Sequence, residues 1–462
     1  MPYFEISSIL RTTAVVISLE LVLFAALLAR RGLFRWLTAG FWAWTAFLVY
    51  FVLSPVAASF DDLSMSRLQF LLALSGGIER AFWVLLLILM GIAAFFVTYL
   101  RTSYRPVTWK LPPGPLSLNL PALFVLLAFI AFGMYSLLVF RAGLFPVEGE
   151  KLILGGRFVG NITGYQNGGY GFLFTPILLL LLSNKRRLQA LGGIMIALFL
   201  IFSLPHAWSR YMTVSLLLAL SMVFVLKRKR RMPPLIWAVV ILVFAALYQM
   251  RGHSDWRYGQ INSELTALID SFPERASQIL SSTDTAMIQA WYVSSYLNDR
   301  WVGIDYGLPV LNYALTGWIP SRYFPEKYFI VDWLNARRSG YYPAVFDQVL
   351  YGSKSSLMGS FYDHGGWAGV LLGCLLAGYL SRRLDGMLAP ETSSLVKSTG
   401  ITWLSILWMV WASSSTWGMM AIGAMAMPAL AVWLFLPKIS ARRDSKTMSF
   451  EPQPGQFRPL ER

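Results

Sequence analysis

Long apolar segments recur along the chain, separated by shorter polar ones. A helix that spans a bilayer needs about 20 mostly apolar residues, and eleven segments approach that length. The pattern therefore predicts an all-α polytopic membrane protein with about eleven transmembrane helices. The segments cover residues 6–29, 36–54, 78–100, 118–140, 168–184, 189–206, 211–226, 235–250, 366–380, 397–415 and 417–436.

Basic residues between the apolar segments fall on alternate sides of the predicted membrane. Loops on the cytoplasmic side carry an excess of Lys and Arg, so the basic side is assigned to the inside. The amino terminus is then predicted outside and the carboxyl terminus inside. The six basic clusters are Arg30/Arg31/Arg35, Arg101/Arg105/Lys110, Lys185/Arg186/Arg187, Lys227 to Arg231, Arg382/Arg383, and Lys438/Arg442/Arg443/Lys446.

The spacing of the segments divides the chain into four parts. Residues 1–250 hold eight predicted transmembrane helices, and residues 251–365 form one large external loop, whose first half has helical periodicity. The second half of this loop, with Pro309, Pro320, Pro325 and Pro343, is predicted to be an ordered loop. Residues 366–438 hold three further helices. Residues 439–462 are a Pro/Gln/Arg-rich tail that we expect to be disordered and inside.

Composition and charge narrow the possible functions. Only 13% of the residues are charged, against about 25% in soluble domains. The net charge of +16 would suit nucleic acid, but its short clusters between apolar segments follow membrane topology, so no nucleic-acid partner is predicted. The sequence lacks a P-loop, GxGxxG, HExxH or Cys/His cluster. Neither a cofactor nor a metal site is therefore predicted.

Arginines and histidines on the predicted outside are the first candidates for chemistry. Arg210 follows His206 in the turn "LPHAWSRYM" and could pair with phosphate oxygens, although topology alone favours a snorkelling arginine. Arg251 and Arg257 flank His253 in "RGHSDWR" and could hold a pyrophosphate, or form a solvated collar beside the membrane. The sequence favours the pyrophosphate site and the solvated collar about equally.

Two further segments offer polar groups of a different kind. The stretch "GRFVGNITGYQNGGYGF", residues 156–172, is rich in amide and tyrosine side chains that suit sugars, but an ordinary turn-rich loop is slightly favoured. In "SFYDHGGWAGVL", Asp363 and His364 precede Gly365–Gly366 at the start of an apolar segment. This pair is either the cap of a helix or the edge of a catalytic site.

Two passages resemble the oligosaccharide repeat-unit polymerases, the Wzy-type O-antigen and exopolysaccharide polymerases. They are "LTGWIPSRYFPEKYFIVDWL" and "SSLMGSFYDHGGWAGVLLGCLLAGYLSRRLD", and Ser209–Arg210 at the start of a span is a further shared feature. Many spans with one large external loop before the last few also agree with the family. The matched residues are Pro320, Arg322, Pro325, Lys327, Gly359, Tyr362, Gly365, Gly366, Gly369 and Val370.

The resemblance implies an inverting, metal-independent glycosyltransferase with a GT-C-like architecture. It would act on the periplasmic face of the bacterial inner membrane and join undecaprenyl-pyrophosphate-linked repeat units. Such an enzyme needs a base for the acceptor hydroxyl and cations for the leaving pyrophosphate. His364 is preferred over Asp363 as the base, because imidazole titrates near neutral pH. Candidates for binding pyrophosphate and glycan are Arg210, Arg251, Arg257, Arg322 and Tyr362. Membrane lipid, a chain-length regulator and other polysaccharide assembly proteins are the expected partners.

Three alternatives stay open from the sequence. A lipid-linked glycan ligase of the O-antigen ligase type shares the predicted architecture and differs in its acceptor. A lipid-linked oligosaccharide flippase should carry polar groups through many spans, whereas this chain concentrates them outside. Intramembrane charges are functional candidates by default, but Arg11, Glu20, Glu79 and Arg80 form no visible relay. A non-catalytic assembly protein is compatible with the composition.

Overall fold

The computed structural model describes most of the transmembrane part of the chain. The described residues are 3–35, 37–60, 78–107, 118, 120–141, 147–148, 151–154, 157–203, 210–228, 291, 294–295, 304–316, 324, 326, 329–330, 333, 356–412 and 415–435.

Helices make up most of this structure. A π-helical turn, Val49–Leu53, joins α2 to α3, so that the two form one continuous helical segment. The helices are α1 (Tyr3–Arg30), α2 (Ala39–Leu48), α3 (Ser54–Ala58), α4 (Ile78–Arg101), α5 (Leu120–Arg141), α6 (Ile162–Leu182), α7 (Arg186–Ser203), α8 (Arg210–Arg228), α9 (Leu308–Thr316), α10 (Ser356–Met387), α11 (Ser394–Ala412) and α12 (Ser415–Phe435).

Several of these helices have the properties of membrane spans. Within the described ranges, four are long and apolar enough to cross a bilayer: Ile6–Arg30, Ala39–Ala58, Glu79–Arg101 and Ser394–Ala412. Shorter apolar helices cover Leu120–Met134, Phe172–Leu182, Val214–Lys227 and Ala426–Phe435. The prediction of a helical membrane protein is confirmed at this level. The predicted span 235–250 lies outside the described residues.

A small antiparallel sheet departs from the all-α prediction. Its strands are β1 (Val147–Glu148), β2 (Lys151–Leu154) and β3 (Arg157–Asn161), in the order β1-β2-β3. Leu154 pairs with Arg157, so only two residues, both glycines, connect β2 to β3. Two apolar runs around a Gly-Gly pair are a hairpin signature, which the loop prediction for this region overlooked. The helix α6 also begins before the predicted span, inside the segment interpreted as a turn-rich loop.

The helix α9 corrects another loop prediction. Pro309 is its second residue, and proline is tolerated in the first turn of a helix, where the N–H has no intrahelical partner. Interpreting Pro309 as a loop signal was therefore wrong at this position.

The helix α10 is a hairpin of two arms, residues 356–364 and 367–387. The backbone between them leaves the helical region at Gly365 and Gly366, and Gly366 has φ 58° and ψ −141°, a conformation that glycine adopts at low cost. A Cβ on Gly369 would lie 2.1 Å from the carbonyl oxygen of Phe361, and one on Gly373 would lie 2.4 Å from the Phe361 ring. The first arm therefore folds back onto the second.

The hairpin packs closely against α4. A Cβ on Gly91 would lie 3.0 Å from Met358 Sδ and 3.3 Å from Cys374 Sγ. Met358 and Cys374 belong to different arms, so both arms reach the level of the middle of α4. The last residues of the segment assigned to the external loop thus form a helix beside a transmembrane helix.

Polar contacts tie several helices together at one end of the bundle. The Asp385 carboxylate accepts hydrogen bonds from the backbone N–H of Ala39, at 2.7 Å, and from the Tyr99 hydroxyl. The N–H of Val107 donates to the carbonyl of Gly386 at 3.1 Å. These contacts bring together the ends of α4 and α10 and the start of α2. Residues of three basic clusters assigned to the inside lie close to these contacts. They are Arg30, Arg31 and Arg35 at the end of α1 and before α2, Arg101 and Arg105 at and just after the end of α4, and Arg382 and Arg383 near the end of α10.

Aromatic rings fill the core between α2, α4 and α11. The Trp411 ring lies with its centroid 4.6 Å from that of Phe47 and 5.2 Å from that of Phe95, with both contacts edge to face. Edge-to-face contacts are favourable because the positive edge of one ring meets the negative face of the other. Phe95 also stacks on Tyr99 with centroids 6.0 Å apart, so this core continues into the polar contacts around Asp385.

Candidate functional site

The candidate site lies at the tip of the α10 hairpin. His364 Nδ1 is 2.6 Å from Asp305 Oδ1, and the two side chains are 20% and 4% exposed respectively. A carboxylate accepts hydrogen bonds, so Nδ1 is the donor in this pair. A neutral ring in this orientation has its lone pair at Nε2. His364 can therefore take a proton at Nε2 while Asp305 stabilises the resulting imidazolium.

A tight turn holds Asp305 in place. The N–H of Gly307 donates to Asp305 Oδ1 at 2.8 Å, and the N–H of Leu308 donates to the Asp305 carbonyl at 3.0 Å. Tyr306 and Gly307 adopt φ values of 54° and 73°, the left-handed region used by such turns. The turn is attached to the hairpin, because the N–H of Asp305 donates to the carbonyl of Asp363 at 3.0 Å.

Asp363 connects the hairpin to a second segment, the one that contains Ser294. Its Oδ1 accepts a hydrogen bond from Ser294 Oγ at 2.5 Å, and the residue is buried. The carboxylate and the backbone carbonyl thus each hold a different segment against the hairpin. Asp363 is the next-to-last residue of the first arm of α10, so the interpretation as a cap at the start of a helix does not describe its position.

A cavity adjoins the tip of the hairpin. It encloses about 220 Å³ between the first turns of α4, the hairpin and Ser295. Arg80 donates from Nη2 to the carbonyl oxygen of Ser295 at 2.9 Å. This bond orients the guanidinium beside the cavity. The lining residues are Arg80, Trp83, Val84, Leu87, Ser295, Tyr362 and Trp367.

The cavity and the His364–Asp305 pair share one framework. Tyr362 and Trp367, which line the cavity, lie two residues before and three residues after His364 on the hairpin. Ser295 of the cavity follows Ser294, which binds Asp363. A proton acceptor, a cation and aromatic surfaces are therefore held on the same few segments.

Of the residues selected from the sequence, the consecutive residues Tyr362, Asp363 and His364 lie at the tip of the hairpin. Arg210 is the first residue of α8, and its backbone position alone is described. Arg251, Arg257 and Arg322 lie outside the described residues, so their assignment to a pyrophosphate site stays a prediction.

Sequence reasoning missed Asp305, Ser294 and the role of Arg80. Nothing in the sequence pairs Asp305 with a histidine 59 positions later. A signal for Arg80 was present, because Arg80, Trp83, Val84 and Leu87 follow the i, i+3, i+4, i+7 spacing that puts side chains on one face of a helix.

Comparisons with protein-family models, with curated proteins and with solved structures gave no match to this chain. Within the described residues, no group of three or more His, Cys, Asp or Glu side chains is arranged to hold a metal ion.

Proposed function

We propose that this chain is a membrane glycosyltransferase that polymerises lipid-linked oligosaccharide repeat units. The observation that carries the proposal is the His364–Asp305 pair beside a cavity that contains Arg80. His364 lies in the second of the two passages that resemble the Wzy-type O-antigen and exopolysaccharide polymerases, whereas Asp305 lies before both passages. Transfer of a sugar from a pyrophosphate requires both a base and a cation, and the segments at the hairpin tip hold one of each.

His364 is the general base in this proposal. Nε2 takes the proton of the acceptor hydroxyl, whose oxygen attacks the anomeric carbon of the donor sugar. The bond from that carbon to the pyrophosphate oxygen breaks, and undecaprenyl pyrophosphate leaves with the bonding electron pair. Attack from the face opposite the leaving group inverts the anomeric centre. Asp305 acts as a positioning residue that orients the ring and stabilises the imidazolium, while arginines stabilise the leaving pyrophosphate.

The proposal includes an architecture and a location. The chain would have about eleven transmembrane helices in a GT-C-like arrangement in the bacterial inner membrane, with the amino terminus periplasmic and the carboxyl terminus cytoplasmic. The convergence of predicted inside clusters at one end of the bundle supports this orientation.

Cysteine labelling from the periplasmic side tests the orientation. The single native cysteine, Cys374, is buried, so background labelling is expected to be low. Tyr306→Cys places an accessible thiol beside Asp305, since Tyr306 is 80% exposed. We expect a membrane-impermeant maleimide to label this variant in intact spheroplasts. Arg187→Cys, on the predicted inside, should react only after the membrane is opened. The reverse pattern would overturn the proposed orientation and with it the periplasmic site.

Reconstitution tests the proposed activity directly. The purified full chain in liposomes that contain the lipid-linked repeat unit should produce a ladder of longer lipid-linked glycans and release undecaprenyl pyrophosphate. Mass spectrometry of the extracted lipids measures both products. Transfer of a glycan to a different lipid acceptor, without a ladder, would assign the chain as a ligase instead. Movement of the repeat unit across the bilayer, without any new glycosidic bond, would assign it as a flippase.

A further inference from the structure

The cavity beside the hairpin is polar at one end and apolar at the other. Arg80 lies at the start of the span Glu79–Arg101, and Leu87 follows seven residues later on the same face. At a rise of about 1.5 Å per residue, Leu87 lies about 10 Å further along the helix. Val84 and Leu87 are buried apolar side chains. A ligand in this cavity would therefore meet a cation at the membrane surface and hydrocarbon below it.

Two tryptophans stand at the side of the cavity. Trp83 of α4 and Trp367 of α10 are 43% and 38% exposed, and their rings meet edge to face with centroids 5.7 Å apart. Indole rings prefer the level of lipid head groups in a membrane. We therefore expect the exposed faces of Trp83 and Trp367 to lie at the level of the head groups, on the side from which a lipid would approach α4 and the hairpin.

Close packing at Gly91 limits how deep the cavity extends. Gly91 lies one helical turn beyond Leu87, and a Cβ there would be 3.2 Å from Val370 Cγ1 and 3.0 Å from Met358 Sδ. The volume of about 220 Å³ is also below the roughly 300–1,000 Å³ of pockets that enclose a complete ligand. The cavity is suited to one end of a single narrow chain, and the remainder of a longer lipid would stay in the bilayer.

We propose that this cavity binds the phosphate end of a single-chain phosphorylated lipid. The Arg80 guanidinium would contact the phosphate, and the first carbons of the chain would lie along Val84 and Leu87. This inference rests on the proposed function for its choice of a prenyl phosphate over a lysophospholipid, which presents the same chemistry. Arg80 then joins the arginines chosen from the sequence as a ligand of the carrier lipid. Its bond to the Ser295 carbonyl holds the guanidinium at the rim of the cavity.

Calorimetric titration of the purified full chain in detergent tests this site. Farnesyl diphosphate is the probe, because it combines a short prenyl chain with a diphosphate. We expect saturable binding of farnesyl diphosphate and much weaker binding of farnesol and of inorganic pyrophosphate, each of which carries one half of the ligand. Lysophosphatidylglycerol represents the lysophospholipids, which present the same chemistry. Tighter binding of farnesyl diphosphate than of lysophosphatidylglycerol would identify the ligand as a prenyl phosphate.

Arg80→Gln should weaken farnesyl diphosphate binding by about 10- to 100-fold, the effect of losing a charged hydrogen-bonding partner. Arg101→Gln is the matched control, since Arg101 is exposed at the other end of the same helix, and its affinity should equal that of the unmodified chain. Trp83→Ala provides a second test that does not alter a charge, and it should weaken farnesyl diphosphate more than inorganic pyrophosphate.

Equal affinity of Arg80→Gln and Arg101→Gln for farnesyl diphosphate would overturn the proposed site. Binding of inorganic pyrophosphate as tight as that of farnesyl diphosphate would also overturn it. These results are separable from a failure of the proposed function. If the lipid site is disproved but the glycan ladder still forms, the assignment as a polymerase is unaffected. If binding depends on Arg80 but no glycan ladder forms, the lipid site is supported and the assignment as a polymerase is disproved.

Discussion

Replacement of His364 by glutamine is expected to reduce polymerisation by about 100- to 10,000-fold, the range associated with loss of a general base. Glutamine has a similar size and its amide can still donate a hydrogen bond to Asp305 Oδ1, which His364 Nδ1 contacts at 2.6 Å. It has no nitrogen lone pair that accepts a proton near neutral pH. The effect should therefore appear in turnover of the reconstituted enzyme, with little change in protein abundance or in the KM for the lipid-linked repeat.

His206→Gln is the matched control, because the same substitution is made at another histidine assigned to the outside. We expect normal glycan ladders from this variant. Asp305→Asn should give a smaller decrease, about 10- to 100-fold in kcat. Its Oδ1 can still accept from Gly307 and from the imidazole, so that the negative charge is what is removed. Turnover of His364→Gln that equals the unmodified chain at every pH would exclude His364 as the base.

The sequence predicted where the helices lie along the chain, but it did not predict which distant residues contact each other. The difference has a physical reason. Hydrophobic length is a property of a continuous segment, so the runs at 6–29, 78–100 and 397–415 coincide with helices long and apolar enough to span a membrane. The contact between Asp305 and His364 depends on how two distant segments fold together. No local pattern encodes it.

The hairpin illustrates the same limit. The sequence places Gly365–Gly366 at the start of an apolar segment, and the second arm of α10 does begin after this pair. The return of residues 356–364 along that arm was not predicted. The signal lay in Gly369 and Gly373, which are four residues apart and so share one helix face. Small residues on one face permit close approach of a second helix, and Phe361 occupies this face.

Asp385 shows that a charged residue beside a basic cluster can have a structural role, which the assignment of membrane topology does not reveal. In the sequence "SRRLD", the two arginines assigned residues 382–383 to the inside, and no role was predicted for Asp385. In the structure Asp385 is buried and accepts hydrogen bonds from Ala39 and Tyr99, with Arg382 Nη1 at 3.2 Å from its Oδ2. A buried carboxylate is stable when it is paired and hydrogen-bonded, so this residue fastens α2 and α4 to the end of α10.

Arg210→Ala and Arg251→Ala are each expected to abolish long polymer and leave lipid-linked single repeats. Arg210 begins α8, and Ser215, one turn further, donates to Met409 Sδ near the end of α11 at 3.2 Å. The second turn of α8 is therefore anchored beside the end of α11 that we assign to the outside. A guanidinium there would stabilise the negative charge that grows on the departing pyrophosphate, and removing such a group costs about 100- to 1,000-fold in rate.

The decisive comparison sets these variants against Arg105→Ala, which removes an exposed arginine on the predicted inside. All three should be inserted in similar amounts, and glycan length is measured by gel electrophoresis of a deletion strain that expresses each variant. Arg105→Ala should restore the full ladder. Arg210→Lys should recover part of the activity, because a charge without the planar fork still attracts phosphate. Normal chain lengths in Arg210→Ala and Arg251→Ala would show that neither arginine contacts the pyrophosphate, and the charge stabilisation would then have to come from other cations such as Arg80 at the start of α4.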